Sequence, residues 1–165
     1  MTTTEQTLEA LSIRSLFQLH GSISSELHKR GVARTQNLTG DFAEFLFHKA
    51  FGWELKGNSH SGFDALNGTE RIQIKCRKAL LGNKAPQLGE FSKFELCRFD
   101  TLAAVIFEQD YSIRIALLIP WGTVDQLATT VQGRRRLHLR EAVRAEPSVV
   151  DVTMELHKAL EAHCS

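Results

Sequence analysis

Three polar residues on two neighbouring segments have the side-chain types that can hydrolyse a phosphate ester. Asp64 precedes an Asn-Gly pair, and Gln73 and Lys75 follow it with one residue between them. A carboxylate and an amide oxygen, with the backbone carbonyl of Ile74, are suitable ligands for a hard divalent cation such as Mg²⁺ (or Mn²⁺). A lysine beside that cation can orient or deprotonate the attacking water and offset charge developing on phosphorus.

These residues share a site only if the segment folds as a β-hairpin. Asn67-Gly68 tolerates the positive φ angles of a type I′ turn and predicts the turn between the two strands. A two-residue turn places Asp64 opposite Arg71, with Gln73 on its diagonal, whereas a four-residue loop places Asp64 opposite Gln73. Both registers put Asp64, Gln73 and Lys75 on one face of the hairpin. The strands are predicted over Gly62 to Leu66 and Arg71 to Arg77.

A helix before the hairpin carries a further carboxylate. The pattern predicts that this helix has Thr39 as its N-cap and ends at Gly52, with Asp41 in its first turn favouring the positive end of the helix dipole. Glu44 lies on its polar face. We therefore expect Glu44 to supply an oxygen to the site, directly or through a water.

A longer amphipathic helix is predicted from residue 5 to about residue 30. Thr2 and Glu5 have capping-box spacing, Gly21 and Ser22 are a candidate break, and Gly31 ends the helix. We expect its apolar stripe to pack on its own domain, with a dimer contact as the less favoured alternative. The stripe consists of Leu8, Leu11, Leu16, Leu19, Ile23 and Leu27.

The remaining elements predict a single α/β (α+β) domain. Apolar runs over Thr101 to Phe107 and Ile113 to Ile119 are typical of central, buried strands, and Trp53 to Lys56 is a short candidate strand. Capping-box spacing of Thr123 and Gln126 predicts a short helix, and Val152 to Ala162 predicts a C-terminal helix.

The combined pattern resembles the PD-(D/E)XK nucleases, the restriction-endonuclease-like superfamily. The matching residues are Glu44 in Gly40-Asp41-Phe42-Ala43-Glu44, Asp64 in Gly62-Phe63-Asp64-Ala65, and Gln73-Ile74-Lys75, which is similar to the family's Gln-x-Lys variant. The resemblance implies an αβββαβ core, a central mixed sheet flanked by helices, with Phe94 to Asp100 as the helix between strands. Residues 39–131 would form the core, 1–38 an N-terminal helical extension, and 132–165 a C-terminal basic segment and helix.

The resemblance also implies an activity, that of a Mg²⁺-dependent endonuclease. Asp64, Gln73, the carbonyl of Ile74 and Glu44 would hold the metal, and Lys75 would be the catalytic lysine. Gln73 replaces the family's second acid, which removes one negative charge and weakens the expected metal affinity. The alternative is a non-catalytic nucleic-acid-binding or assembly subunit with a decayed nuclease site.

Positive charge is concentrated in two stretches of a nearly neutral chain. Lys56 to Arg98 holds eight Lys or Arg against four Asp or Glu, and Arg134 to Arg144 holds five Arg against Glu141 alone. Such clusters can follow a phosphate backbone, although solvated surface is an equally good interpretation of either alone. Candidate nucleic-acid contacts are Arg71, Arg77, Lys78, Lys84, Lys93, Arg134, Arg135, Arg136, His138 and Arg140.

Contacts of this kind do not distinguish DNA from RNA. DNA is the expected partner, and RNA stays possible. A homodimer is expected for double-strand cleavage, because one site of this size cuts one strand. The sequence neither indicates nor excludes a helicase or methylase partner.

Composition narrows the setting of the protein. The chain has 165 residues, 42% hydrophobic and 24% charged, which is typical of a globular domain. It contains no apolar run near the roughly 20 residues that span a membrane and no secretory signal, so a cytoplasmic location without membrane insertion is expected. Three cysteines without CxxC spacing indicate no disulfide framework, and the histidine spacings do not predict a zinc site. His60 is a minor candidate for a phosphate contact.

Overall fold

The computed structural model describes residues 8–57, 62–79, 87–88, 99–132 and 134–164. Its helices are α1 (Ile13–Lys29), α2 (Leu38–Phe51), α3 (Trp121–Leu127), α4 (Glu141–Arg144) and α5 (Thr153–Cys164). Its strands are β1 (Glu54–Leu55), β2 (Ala65–Asn67), β3 (Glu70–Lys78), β4 (Thr101–Phe107), β5 (Ile113–Pro120), β6 (Thr129–Val131), β7 (Arg134–Arg136) and β8 (Val150–Asp151).

Six strands form a mixed sheet in the order β1-β2-β3-β4-β5-β8. β3 and β4 are parallel, and every other neighbouring pair is antiparallel. A parallel pair needs a crossover connection, which here falls within residues 79–100. The predicted α+β class, a central mixed sheet flanked by helices, is confirmed. The helix predicted over Phe94 to Asp100 lies almost wholly outside the described residues.

Two apolar layers cover the two faces of this sheet. Helices α2 and α5 pack on one face, where Leu46, Phe47 and Leu156 are fully buried against β3 and β4. Helices α3 and α4 pack on the other face through Val124 and Val143. Strands β4 and β5 lie between the layers, as their continuous apolar runs predict. The helix that carries Glu44 is thus anchored directly on the strand that carries Gln73 and Lys75.

Helix α2 ends as predicted but begins earlier. Gly52 closes it with φ +70°, and Asn37, two residues before Thr39, is the N-cap, accepting a hydrogen bond from Gly40 N at 3.2 Å. Asp41 was expected to interact with the helix dipole. It is instead 3% exposed and accepts hydrogen bonds from the backbone of the preceding loop, so its role is to fix that loop.

Helix α1 differs from its prediction in three ways. It begins after Ser12 as N-cap, it continues through Gly21 and Ser22 without a break, and none of its residues is buried. Ile13 and Phe17 are 76% and 74% exposed. The predicted stripe is only partly covered by its own domain: Leu8, Leu16, Leu19 and Ile23 are 38–52% exposed, whereas Ile23 and Leu27 line a groove together with Phe42 of α2 and His163 of α5. The Thr2 and Glu5 capping box lies outside the described residues.

Two further local predictions needed correction. Thr123 lies inside helix α3, which begins at Trp121, and its hydroxyl is 2.7 Å from that of Ser148 rather than capping the helix. The arginine-rich segment forms strand β7 of a small hairpin with β6, which the sequence pattern did not predict. Among the described residues no helix is both long and apolar enough to cross a membrane.

Candidate active site

The hairpin of β2 and β3 sets the position of the candidate residues. Leu66 pairs with Arg71 and Asn67 with Glu70, so the central turn residues are Gly68 and Thr69. Gly68 has φ +61°, which favours glycine. Of the two predicted registers, this is the one given for the four-residue loop. Continued one residue beyond the Ala65–Ile72 pair, it places Asp64 opposite Gln73.

The carboxylate of Asp64 lies where β2 stops pairing and β3 continues. The backbone of Asp64 still follows β3, because its N donates to the carbonyl of Ile72 at 2.8 Å. Its side chain then replaces a strand partner: Oδ2 accepts from the backbone N of Ile74 at 2.7 Å and from Nε2 of Gln73. Asp64 is thus held at the edge of β3 by main chain and side chain together.

Gln73 and Lys75 lie on the same face of β3. In the parallel register they pair with Leu102 and Ala104 of β4, alternate residues of one strand. The amide nitrogen of Gln73 faces Asp64, whereas the sequence-based interpretation needs its oxygen as a metal ligand. Lys75 is near enough for its charge to lower the pKa of Asp64, although burial dominates and the net effect is a raised pKa.

Glu44 approaches the same region from helix α2. Its side chain is 19% exposed and forms an ion pair with Arg34 Nη2. Burial raises the pKa of Glu44 to about 7 against the opposing effect of Arg34, and the charge of Asp64 raises it further. A carboxyl group that has a pKa near neutral pH and lies between two charged neighbours is typical of a functional site rather than of a solvated helix face.

A polar cleft of about 180 Å³ joins Glu44 and Asp64. Both carboxylates, Glu44 and Asp64, line it, and so do two cations that the sequence analysis missed, Arg34 and Lys56. The other lining residues are Thr35, Asn37, Asp41 and Gly57. Lys56 is paired with Glu54 at 2.6 Å. The cleft therefore combines oxygen ligands and positive charge, the two requirements for holding a metal-bound phosphate.

Arg34 is fixed in the cleft through buried Asp41. Its backbone N donates to Asp41 Oδ2 at 2.7 Å, and the Thr35 hydroxyl lies 3.1 Å from both carboxylate oxygens. The Arg34 guanidinium then spans the cleft, donating through Nη1 to the carbonyl of Lys56 at 3.4 Å and through Nη2 to Glu44. No periodic pattern marks a residue in such a loop, which explains why the sequence did not reveal it.

The donor set suits a magnesium-type ion. Glu44 and Asp64 provide two carboxylates, and Mg²⁺ commonly takes one or two carboxylates and completes its shell with water and phosphate oxygens. Rotating the Gln73 amide would present its oxygen in place of its nitrogen. Among the described residues no group of three or more His, Cys, Asp or Glu side chains is arranged to hold a metal ion.

Cys76 follows Lys75 and turns toward the layer beneath α2. It is half-buried, packed against that apolar cluster, and burial raises its pKa to about 12. The thiol is therefore protonated near neutral pH and contributes to apolar packing rather than acting as a nucleophile.

The predicted nucleic-acid contacts differ in exposure and in the partners of their side chains. Arg71 donates through Nε and Nη2 to Asp100 at 2.9 and 2.7 Å, so its guanidinium has a structural partner. Lys78 lies 4.1 Å from the centre of the Tyr111 ring, and Arg135 bonds to Asp125. Arg77, Arg134 and Arg140 are exposed, although Arg77 Nη1 donates to the carbonyl of Gln87 at 3.1 Å, and Arg136 and His138 are half-buried. Lys84, Lys93 and His60 lie outside the described residues.

Comparison with known proteins identifies no family for the chain. No family model matches it, and no curated protein matches it. Among solved structures it is similar to a bacterial homing endonuclease, I-Ssp6803I, with 17% identity and a TM-score of 0.43 over 69% of this chain and 81% of that one. A likeness at this level assigns no function. Fold and site define an α+β protein with a carboxylate-lined cleft at the edge of a strand.

Proposed function

We propose that the protein is a metal-dependent nuclease that hydrolyses phosphodiester bonds of DNA, a Gln-x-Lys form of the PD-(D/E)XK arrangement. The observation that carries the proposal is the placement of Asp64. Its carboxylate is held against Gln73 and the backbone of Ile74, in a cleft that also contains Glu44.

Each residue has a distinct role in this proposal. Asp64 and Glu44 hold the metal, with the Ile74 carbonyl and the Gln73 side chain as further oxygen donors. When bound, Mg²⁺ or Mn²⁺ lowers the pKa of a coordinated water and stabilises charge on the phosphate. Lys75 orients the attacking water from the polar face of β3. Before the metal binds, Gln73 instead orients Asp64, because its amide donates to that carboxylate.

Exposed arginines beyond the cleft would contact the DNA backbone. Arg134 is exposed on the β6–β7 hairpin, and Arg77 is exposed on β3. Contacts of this type position a duplex without reading its sequence. We propose DNA as the substrate, with RNA as the alternative outcome of the binding test.

A homodimer through α1 would pair two such sites. Antiparallel packing of two α1 helices about His20 brings exposed Phe17 against Ile23 of the second copy, and Ile23 lines an apolar groove of about 450 Å³. The same arrangement places Arg14 beside Glu26, which gives charge complementarity at each end. The second copy would therefore cover the apolar residues that the fold leaves exposed.

The alternative function is a non-catalytic nucleic-acid-binding or assembly subunit. It is favoured by one observation, that the Gln73 nitrogen rather than its oxygen faces Asp64. Divalent-metal binding separates the two functions, since a decayed site has no need of the ion.

The decisive experiment incubates supercoiled plasmid with the protein, with and without Mg²⁺ or Mn²⁺. We expect nicking or linearisation only with metal, and a loss of at least about a hundredfold in Asp64→Asn and Lys75→Ala. Lys158→Ala, at an exposed lysine of α5, is the matched control and should cut normally. Metal-independent cutting, or full activity in both site variants, would refute the assignment.

A further inference from the structure

Arg34 joins three parts of the candidate site through one guanidinium. It pairs with Glu44 on α2, donates to the main-chain carbonyl of Lys56 after β1, and lowers the pKa of Asp64 by its charge. Its side chain is 29% exposed, so it is accessible from the cleft while the backbone behind it is fixed by Asp41. The positive charge therefore lies among the carboxylates that would receive a metal ion.

Two cations near the same carboxylates repel each other. A divalent ion on Glu44 must displace the Arg34 ion pair or share its oxygen, and in a partly buried cleft this repulsion is screened less than at the surface. A phosphate reverses the effect, because the guanidinium, which donates to Glu44 through Nη2, can form a two-pronged pair with the phosphate while the metal takes the Glu44 carboxylate. Arginine in this position thus opposes the metal alone and favours the metal together with phosphate.

We propose that Arg34 competes with the divalent metal for Glu44 in the free protein and transfers to a backbone phosphate when nucleic acid binds. Metal and substrate then bind cooperatively, each removing the obstacle to the other. This inference rests on the proposed nuclease function. Arg34 positions Glu44 in the free protein and contacts a phosphate in the nucleic-acid complex.

Calcium titration of three proteins tests the proposal without relying on catalysis. Arg34→Gln removes the charge but keeps an amide donor for Glu44 and the Lys56 carbonyl, and Arg34→Lys keeps the charge. Without DNA, Ca²⁺ should bind Arg34→Gln about tenfold more tightly than wild type, and Arg34→Lys within about threefold of wild type. Arg30→Gln removes an equal charge from the exposed Glu26 pair and should leave Ca²⁺ affinity unchanged.

A short DNA duplex supplies the second readout. Wild-type Ca²⁺ affinity should rise about tenfold when the duplex is bound, and this rise should largely disappear in Arg34→Gln. Without DNA, Ca²⁺ binding by folded Arg34→Gln that is no tighter than by wild type, or Ca²⁺ binding by Arg34→Lys that is as tight as by Arg34→Gln, would overturn the inference. If Arg34→Gln unfolds, Arg34→Met, which keeps the aliphatic stem, replaces it with the same expectation.

The two proposals fail in different ways. If wild type cuts DNA with metal but Arg34→Gln binds Ca²⁺ no more tightly, the nuclease assignment stands and the competition does not. A wild type that neither cuts nor binds divalent metal overturns both.

Discussion

Gln73 donates a hydrogen bond from its side-chain amide to Oδ2 of Asp64, nine residues earlier on the facing arm of the hairpin. The same carboxylate oxygen accepts the backbone N of Ile74 at 2.7 Å. A neutral amide thus occupies the place where a second carboxylate would face Asp64. In the absence of metal this choice avoids repulsion between two acids in a half-buried site.

Gln73→Glu should lower the stability of the metal-free protein and raise its affinity for a divalent metal. The glutamate cannot donate to Asp64 when ionised, so we expect the free energy of unfolding without metal to fall by about 1–3 kcal/mol. Added Ca²⁺ should recover this loss and bind more tightly than to wild type. Urea unfolding with and without Ca²⁺ measures both effects. Gln73→Ala is the control, because it loses the hydrogen bond without gaining a ligand, and an equal response of both variants to Ca²⁺ would contradict the prediction.

Metal affinity should rise with pH through the titration of Glu44. Burial raises the pKa of Glu44 from 4.5 to about 7, so the folded protein favours the protonated form. The stability associated with the neutral carboxyl is complete below pH 4.5 and is lost as the pH rises toward 7. The metal needs the ionised form. Ca²⁺ should therefore bind more tightly at about pH 8 than at about pH 6.

Glu44→Gln tests the origin of this pH dependence. The variant has no carboxyl group to titrate at this position, so its Ca²⁺ affinity should be weaker and nearly constant between about pH 6 and about pH 8. Calorimetric titration at matched ionic strength measures both proteins. A variant that keeps the full wild-type slope would assign the titration to another group.

Arg71 should contribute to stability and Arg77 to nucleic-acid binding. Arg71 makes a two-pronged pair with Asp100, and because both side chains are more than a third exposed the pair is worth only about 1 kcal/mol. Arg71→Ala should lower the free energy of unfolding by about that amount and change DNA affinity little. Arg77→Ala removes one exposed hydrogen bond to the Gln87 carbonyl, so stability should fall by less than for Arg71→Ala, and the salt dependence of DNA binding should fall by about one phosphate contact. Urea unfolding and salt-dependent fluorescence anisotropy of labelled DNA distinguish the two, and interchanged effects would contradict both assignments.

The hairpin turn should be sensitive at one glycine. Gly68 has φ +61°, and an added Cβ there meets no atom within 4 Å, so only backbone strain opposes a side chain. Gly68→Ala should lower the free energy of unfolding by about 1–2 kcal/mol. Gly122, at the start of α3, has equal space and no positive φ, so Gly122→Ala should be neutral or slightly stabilising. Thermal unfolding compares them, and equal effects would exclude the strain explanation.

Phe17→Ser should dissociate the proposed homodimer without unfolding the protein. The Phe17 side chain is 74% exposed, so its replacement leaves the core intact. A symmetric dimer loses this contact twice, at about 1.5–3 kcal/mol for each fully buried ring. Sedimentation equilibrium should show a dimer for wild type and for Gln18→Ser, an adjacent exposed control, and a monomer for Phe17→Ser. A monomeric wild type at micromolar concentration would refute the arrangement.

The elements that follow local rules were predictable from the sequence. The alternation of β3, the apolar runs of β4 and β5, and Gly52 as the end of α2 are all properties of neighbouring residues. The hairpin signal also brought Asp64 and Gln73 together, because both turn lengths considered preserve the face on which they lie.

The features that depend on distant partners were not predictable in this way. The ion pair of Arg71 could not be predicted from neighbouring residues, because its partner Asp100 lies 29 residues later in the chain. Arg34 has no periodicity to mark it, and Asp41 in a first helical turn is normally a dipole partner rather than a buried loop anchor. The run of arginines in β7 hides its pairing with β6, because neighbouring side chains do not alternate in polarity.

Among the described residues, those that line the cleft all lie between Arg34 and Asp64 in the chain. No described residue between β3 and β4, or after β5, lines it. Under the proposed function, insertions or exchanges in those later segments can therefore change substrate binding without altering the cleft. A hybrid that keeps residues 34–75 on their supporting strands should therefore retain the cleft.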